Sequence, residues 1–248
     1  MRILVTGGTG YLGSELVARG ADGVSTRDFD VRDDDAVRRA LQQRRPDIVI
    51  HTAYRQDPPD AHSVNVDGSA AVARAAAGVA ARLIHMSTDV VFSGRRGLYT
   101  EDDPPDPVTE YGRTKADAEL AVRTGHPQAL IVRTSLLYGG PVAGRHERDA
   151  LEARFAFFTD ELRCPTHVGD LADALLELAG LDATGVLHLA ADEAISRCEL
   201  ARLIARRSVP CTTTAEAGVT RPLDCTLDSS KARTLLRTRL RPVREVLG

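Results

Sequence analysis

The segment Thr6-Gly7-Gly8-Thr9-Gly10-Tyr11-Leu12-Gly13 lies directly after a short β-type run at 2–6 and opens a helical pattern at 10–19. No other feature limits the fold as much. Gly7, Gly10 and Gly13 satisfy G-x-x-G-x-x-G, while Gly8, Gly10 and Gly13 also satisfy G-x-G-x-x-G. Without Cβ atoms these residues permit a tight turn and let backbone N–H groups and a helix N-terminus come close to a pyrophosphate. A strand, a glycine turn and a helix in this order predict a dinucleotide site on an α/β sheet.

The rest of the first half keeps the same rhythm. Apolar runs at 23–26, 47–51, 82–86 and 128–133 alternate with helical patterns at 33–44, 61–79 and 108–124. Asp33-Asp34-Asp35 suits a helix N-terminus. Five apolar runs separated by helices predict a parallel sheet covered on both faces, the doubly wound Rossmann class. Past Arg133 the pattern loosens into a loop at 139–144, helices at 147–158 and 169–180, and a strand at 186–189. A helix follows at 196–207, with Ser196 and Glu199 spaced as a capping box, then a strand near 225–227 and a short helix at 229–236. The expected division is a Rossmann domain at 1–137 and a mixed segment at 138–248. That segment is mainly a small C-terminal substrate lobe, with the helix and strand of 169–190 returning to the sheet.

Composition narrows the function. The 248 residues, 43% hydrophobic and 27% charged, suit a soluble globular protein with a sizeable core. Lys and Arg number 32 against 35 Asp and Glu, a net charge of −3 that argues against a nucleic-acid partner. No apolar stretch reaches 18 residues, and the chain meets Gly7 before a secretory h-region forms, so a cytoplasmic protein with no membrane partner is expected. Cys164, Cys198, Cys211 and Cys225 show neither C-x-x-C nor C-x-x-H spacing. They read as thiols rather than a disulfide or a metal site, and no metal is expected.

A dinucleotide site needs a group after the second strand to read the adenosine ribose; an acid there suits NAD and an arginine suits NADP. Arg27 and Asp28 are adjacent candidates. The reading favours NADP(H) through Arg27, with NAD(H) as the alternative, and sets Asp30 and Val31 near the adenine edge. Further on, Tyr111-Gly112-Arg113-Thr114-Lys115 forms Y-x-x-x-K, with Ser87-Thr88-Asp89 at the end of the fourth run. Residues i and i+4 share a helix face, so the phenol and the ammonium can reach one cleft. The ammonium favours phenolate and lowers the pKa of the tyrosine from about 10, making it a usable acid.

The glycine turn, the strand-end Ser/Thr and Y-x-x-x-K, in that order, resemble the extended short-chain dehydrogenase/reductase superfamily. The closer likeness is to its dTDP-4-dehydrorhamnose reductase branch. It is carried by Pro46-Asp47-Ile48-Val49-Ile50-His51-Thr52-Ala53, Val64-Asn65-Val66-Asp67, His85-Met86-Ser87-Thr88-Asp89-Val90-Val91-Phe92-Ser93-Gly94 and Tyr99-Thr100-Glu101-Asp102. Val132-Arg133-Thr134-Ser135, Cys164-Pro165-Thr166-His167-Val168, Asp170-Leu171-Ala172 and Arg221-Pro222 extend it over nearly the whole chain. The resemblance implies NADPH-dependent reduction of a keto group on a nucleotide-linked deoxysugar. Tyr111 would give the proton, Thr88 would hydrogen-bond the same oxygen, and Lys115 would hold the nicotinamide ribose and tune Tyr111. It implies a cofactor held by Gly7, Thr9, Gly10, Tyr11, Leu12, Gly13, Arg27, Asp30, Val31, Thr52, Ala53, Tyr54, Ser87, Tyr111 and Lys115.

The chain also departs from that branch. Rhamnose-forming relatives carry Tyr after S-T-D and Trp after R-T-S, where Val90 and Leu136 stand here. A hydroxyl and an indole are thereby missing from the expected sugar site, which argues against dTDP-4-dehydrorhamnose itself. The expected substrate contacts are Val90, Leu136, Arg145 and Arg221, with Arg148 and Arg154 as further guanidinium candidates for a pyrophosphate. Leu136-Leu137-Tyr138-Gly139 and Pro165-Thr166-His167-Val168 look more like the noncatalytic β subunit of methionine adenosyltransferase. That likeness implies the competing class, an NADP-binding regulatory subunit without turnover. A nucleotide-sugar epimerase using the same tyrosine is a second alternative; a dehydratase would need an acid pair where Asp89-Val90 stands. A homodimer through surface helices is compatible with the sequence. His51, His85 and His188 read as packed strand residues outside the catalytic set.

Overall fold

The computed structural model describes all residues Met1–Gly248. A six-stranded sheet forms its centre, from β1 (Ile3–Thr6), β2 (Asp22–Val24), β3 (Ile48–His51), β4 (Arg82–Thr88), β5 (Leu130–Thr134) and β6 (Gly185–His188). The strand order is β6-β5-β4-β3-β1-β2. The pairs β1/β2, β1/β3 and β3/β4 are parallel. Every residue of β3 and β5 is buried. That is why these strands are runs of Ile, Leu and Val instead of alternating patterns. The chain leaves β1 toward one edge and returns on its other side, so the direction of winding reverses beside β1, where doubly wound sheets bind ligands.

Helices α1 (Tyr11–Ala18), α2 (Asp34–Arg44), α3 (Gly68–Gly78) and α4 (Glu110–Gly125) connect these strands. Asp33 caps α2 as the acidic cluster predicts, its carboxylate accepting from Ala36 N at 2.9 Å. The helix predicted at 61–79 contains a π-helical turn at Ser63–Asp67 before α3. The small residues Ala71, Ala73, Ala75 and Ala76 of α3 pack with Leu4, Val37, Val49, Leu83 and Ile131 in one apolar cluster.

The chain divides into two compact units. The first contains Met1–Ser87, Glu110–Val132 and Leu175–Val186; the second contains Thr88–Thr109, Arg133–Ala174 and Leu187–Gly248. Helices α5 (Arg145–Glu152), α6 (Val168–Ala179) and α7 (Arg197–Ala205) complete the larger helices. The capping box at α7 forms as predicted: Glu199 N donates to Ser196 Oγ at 3.1 Å, and Ser196 N donates to Glu199 Oε2 at 3.4 Å. No helix is long and apolar enough to cross a membrane.

Three expectations need correction. The helix predicted at 147–158 stops at Glu152, where Ala153 turns left-handed at φ 45°. Phe157–Phe158 instead pairs in parallel with Cys211–Thr212, because Phe157 is buried against Ala150, Cys198, Ala201 and Val209. The strand near 225–227 reduces to an isolated bridge between Tyr99 and Leu227. Cys198 and Cys211, read as thiols, are joined in a disulfide with their Cα atoms 5.8 Å apart. The return of the chain from α7 into Cys211–Thr212 brings them together, which a spacing of 13 residues does not reveal. Cys164 and Cys225 are free and buried.

Candidate active site

In the first unit, Gly7 adopts φ +76°, and a Cβ there would lie 2.8–2.9 Å from Ala53 N, Ala53 Cα and Thr52 Oγ1. A Cβ on Gly13 would overlap the carbonyl of Gly7. Thr52 Oγ1 donates to Thr6 O at 2.8 Å, tying the ends of β1 and β3 around the turn. Gly10 caps α1 without a side-chain partner, and no acidic residue stands in the first turn. The N-terminus of α1 thus carries no carboxylate in its first turn and opens beside closely approaching backbone, which fits a dinucleotide pyrophosphate. Leu12 is buried, Tyr11 half-buried and Thr9 exposed around this turn.

Beyond β2, Asp28 turns its carboxylate back onto its own loop, accepting from Ser25 N at 2.9 Å and pairing with Arg44 at 3.4 Å. Arg27 is exposed, its backbone N–H donating to Ser25 Oγ at 3.2 Å. Asp30 is gripped by Arg32 at 2.6–3.0 Å, and those hydrogen bonds hold its carboxyl below the ordinary range. Val31 is buried in the apolar cluster that contains α3.

Tyr111 and Lys115 lie on α4 as i and i+4. The Tyr111 ring sits 6.0 Å from that of Tyr54, which joins two of the anticipated residues. Lys115 is 3% exposed; its Nζ donates to Met86 O at 2.8 Å and lies 3.4 Å from His85 Nε2. Burial pulls the ammonium down to about 8, against the opposing pull of Glu119. The His85 ring lies 5.3 Å from that of His51 and tilted to it by 31°; His51 Nδ1 is 2.5 Å from Thr6 Oγ1 and its Nε2 is 3.0 Å from Ser69 Oγ. Burial and the Lys115 charge push both imidazoles down, His51 to about 3. Ser87 Oγ donates to Glu119 Oε1 at 2.6 Å.

Asn65, which stands in the sequence only as part of a motif, ties two segments of the first unit together. Fully buried in the π-helical turn, its amide accepts from Arg55 N at 2.8 Å and donates to Arg55 O at 2.7 Å and to Thr114 Oγ1 at 2.9 Å. Thr114 in turn donates to Tyr111 O at 2.9 Å. The chain after β3 is thereby latched to the helix turn carrying Tyr111. A buried asparagine in an alanine-rich helix is the available signal, since its amide must find partners.

In the second unit, Thr88 closes β4 and its Oγ1 donates to Asp89 Oδ1 at 3.1 Å. Asp89 is buried, accepts from Ser135 Oγ at 2.6 Å and lies 3.7 Å from Arg163; burial raises its carboxyl against these partners. Val90 and Leu136 are half-buried, and Leu136 packs with Tyr138, Ile195 and Leu200. Glu161, wholly buried, collects three guanidiniums: Arg221, which hydrogen-bonds it, Arg163 at 3.6 Å and Arg197 at 3.7 Å. Arg221 also stacks 5.5 Å over Phe158. His146, 3.3 Å from Arg197, is depressed to about 3 by burial and by the charges of Arg197, Arg145, Arg221 and Arg163. Arg221 thus shares Glu161 with Arg163 and Arg197, and Arg145, next to His146 in the chain, adds its charge to the same imidazole. Arg148 bonds the carbonyl of Ala143 and Arg154 pairs with Glu152, so neither joins this group.

The profile of the RmlD substrate-binding domain matches residues 1–248. The chain belongs to this RmlD family. It is 37% identical to the dTDP-4-dehydrorhamnose reductase of Mycolicibacterium smegmatis over 81% of this chain and 67% of that one. It is 32% identical to subunit beta of rat methionine adenosyltransferase 2 over 94% of this chain and 82% of that one. Among solved RmlD-type structures, the dTDP-4-dehydrorhamnose reductase of Bacillus anthracis in complex with NADP superposes with a TM-score of 0.88 at 28% identity, covering 99% of this chain and 96% of that one.

Proposed function

We propose that this RmlD-family chain is an NADP(H)-dependent reductase of a keto group on a nucleotide-linked deoxysugar. The observation that carries the reading is the Tyr111 and Lys115 pair on one helix, with the ammonium buried and anchored to Met86 O. Similarity to the mycobacterial reductase and to the NADP complex from Bacillus anthracis supports the substrate class and the cofactor. The glycine cradle would hold the pyrophosphate, and Arg27 favours NADP(H) over NAD(H), since Asp28 is turned toward Ser25 and Arg44.

When bound, the reduced nicotinamide supplies the hydride. Tyr111 gives the proton to the oxygen of the ketone as negative charge develops there, and Thr88 supports that oxygen by hydrogen bonding. The charge on Lys115 favours phenolate, easing release of the Tyr111 proton, and its ammonium is the donor suited to the nicotinamide ribose. The Thr88 hydroxyl donates to Asp89, which Ser135 holds from its other oxygen, so Thr88 would turn its one O–H from Asp89 to the ketone oxygen when substrate binds. Val90 and Leu136 offer an apolar sugar surface, while Arg145 and Arg221, joined by Arg197, would take the substrate diphosphate through their forked donors.

The test is NADPH oxidation against a panel of dTDP-4-keto sugars and simple ketones, run beside a cofactor titration. Tyr111→Phe should lower kcat by about 10²- to 10⁴-fold, the span of general acid catalysis, with cofactor affinity nearly intact. Unchanged turnover in that variant removes Tyr111 from the mechanism. Tight NADPH binding with no oxidation of any ketone would favour the regulatory role suggested by the likeness to the methionine adenosyltransferase subunit.

A further inference from the structure

Arginine is the ordinary cation of this chain: of its 32 basic residues only Lys115 and Lys231 are lysines. Lys231 is half-exposed beside Glu101 and Asp102, whereas Lys115 is shut inside the first unit. A buried ammonium tends to lose its proton unless an anion and hydrogen-bond acceptors accompany it.

The fold provides both from two consecutive residues of β4 and one turn of α4. Met86 offers its carbonyl to Lys115 Nζ at 2.8 Å, and Ser87 gives its hydroxyl proton to Glu119 Oε1 at 2.6 Å. Glu119 is wholly buried and stands four residues after Lys115, on the same helical face. The other titratable groups around the ammonium are His85 at 3.4 Å, His51 behind it on β3, and Tyr111 one turn earlier. Both histidines are neutral at physiological pH and bring no counter-charge. Arg123 reaches Glu119 Oε2 at 3.8 Å from the half-exposed end of the pair.

We infer that Glu119, tethered by Ser87, is a positioning residue that keeps Lys115 charged and directed at the Met86 carbonyl. Its effect on turnover rests on the reductase reading above; the charge on Lys115 is measurable without any reaction. With Glu119 in place the buried amine stands at about 8, burial lowering it and the carboxylate raising it, so loss of the carboxylate should lower it further.

With only two lysines, protein labelled with isotopic lysine gives two side-chain NMR signals, and Lys231→Arg assigns them. In Glu119→Gln the Lys115 midpoint should fall by about one pH unit or more, as for loss of an adjacent opposite charge. The alkaline limb of the kcat profile should move down by the same interval, with kcat at pH 8 falling more than KM rises. A uniform loss of activity with midpoint and limb unmoved overturns the inference. If Glu119→Gln does not fold, Ser87→Ala serves: a smaller fall in the same direction, restored by Ser87→Thr, supports the tether, and an unmoved midpoint refutes it. A shifted midpoint in a protein that oxidises no NADPH keeps the pairing and removes only the reductase reading.

Discussion

Glu161 shows how much a single side chain can organise. It is fully buried yet faces Arg163, Arg197 and Arg221, so this one carboxylate offsets the mutual repulsion of three guanidiniums, with Asp89 as a second anionic partner of Arg163. Deleting one partner of a buried ionic group leaves the others uncompensated, at a cost of about 3–5 kcal/mol. Glu161→Ala should therefore lower the unfolding free energy obtained from urea titration by an amount in that range, while Glu161→Gln, which keeps the shape, should cost less and chiefly raise KM for a nucleotide sugar. Equal stability of Glu161→Ala and the parent in urea titrations would show that the arginines have independent partners. The sequence singles out Arg145 and Arg221 as candidates, but only folding shows that Arg163 and Arg197 stand with them and Arg148 and Arg154 do not. The sign of a surface charge is written in the chain; its neighbours sixty residues away are not.

Among elements, the turn between β1 and α1 is the least tolerant of change. A methyl group on Gly13 meets the Gly7 carbonyl, backbone that has no rotamer to yield. Gly13→Ala should abolish NADPH binding in a fluorescence titration and lower the melting temperature, whereas Gly20→Ala, which meets nothing within 4 Å but has φ +97°, should cost only backbone strain. Elements of this local kind are legible in the sequence. The glycine turn, the Asp33 cap, the capping box of α7 and the apolar strands each depend on residues within one turn or one run of each other. The segment at 147–158 is not legible in the same way: its apolar residues suit a helix until Phe157 finds Ala150 and Val209 across the second unit. The pairing of Ser87 with Glu119 is equally hidden, because 32 residues separate two side chains whose types alone suggest contact with water.

The whole molecule carries its histidines mostly as neutral core material. Burial brings His51 and His146 to about 3 and His188 to about 4, below the value of 6.5 of an unconstrained imidazole. Each group contributes stability that is present above pH 6.5. As the pH falls the unfolded chain takes up protons that the folded chain refuses, so the contribution is lost progressively toward pH 3–4. Each histidine adds up to about 1.4 kcal/mol per pH unit to this slope. Urea midpoints measured at pH 7.5 and 5.5 should differ clearly, with the acidic sample less stable; equal midpoints would mean that these imidazoles titrate normally in the fold. The scarcity of lysine has a practical side. With Lys115 sealed inside and Lys231 half-exposed, an acylating dye or coupling resin meets a single lysine side chain per molecule, and the α-amino group of the exposed Met1 is its one competing amine, so a tag has two known addresses.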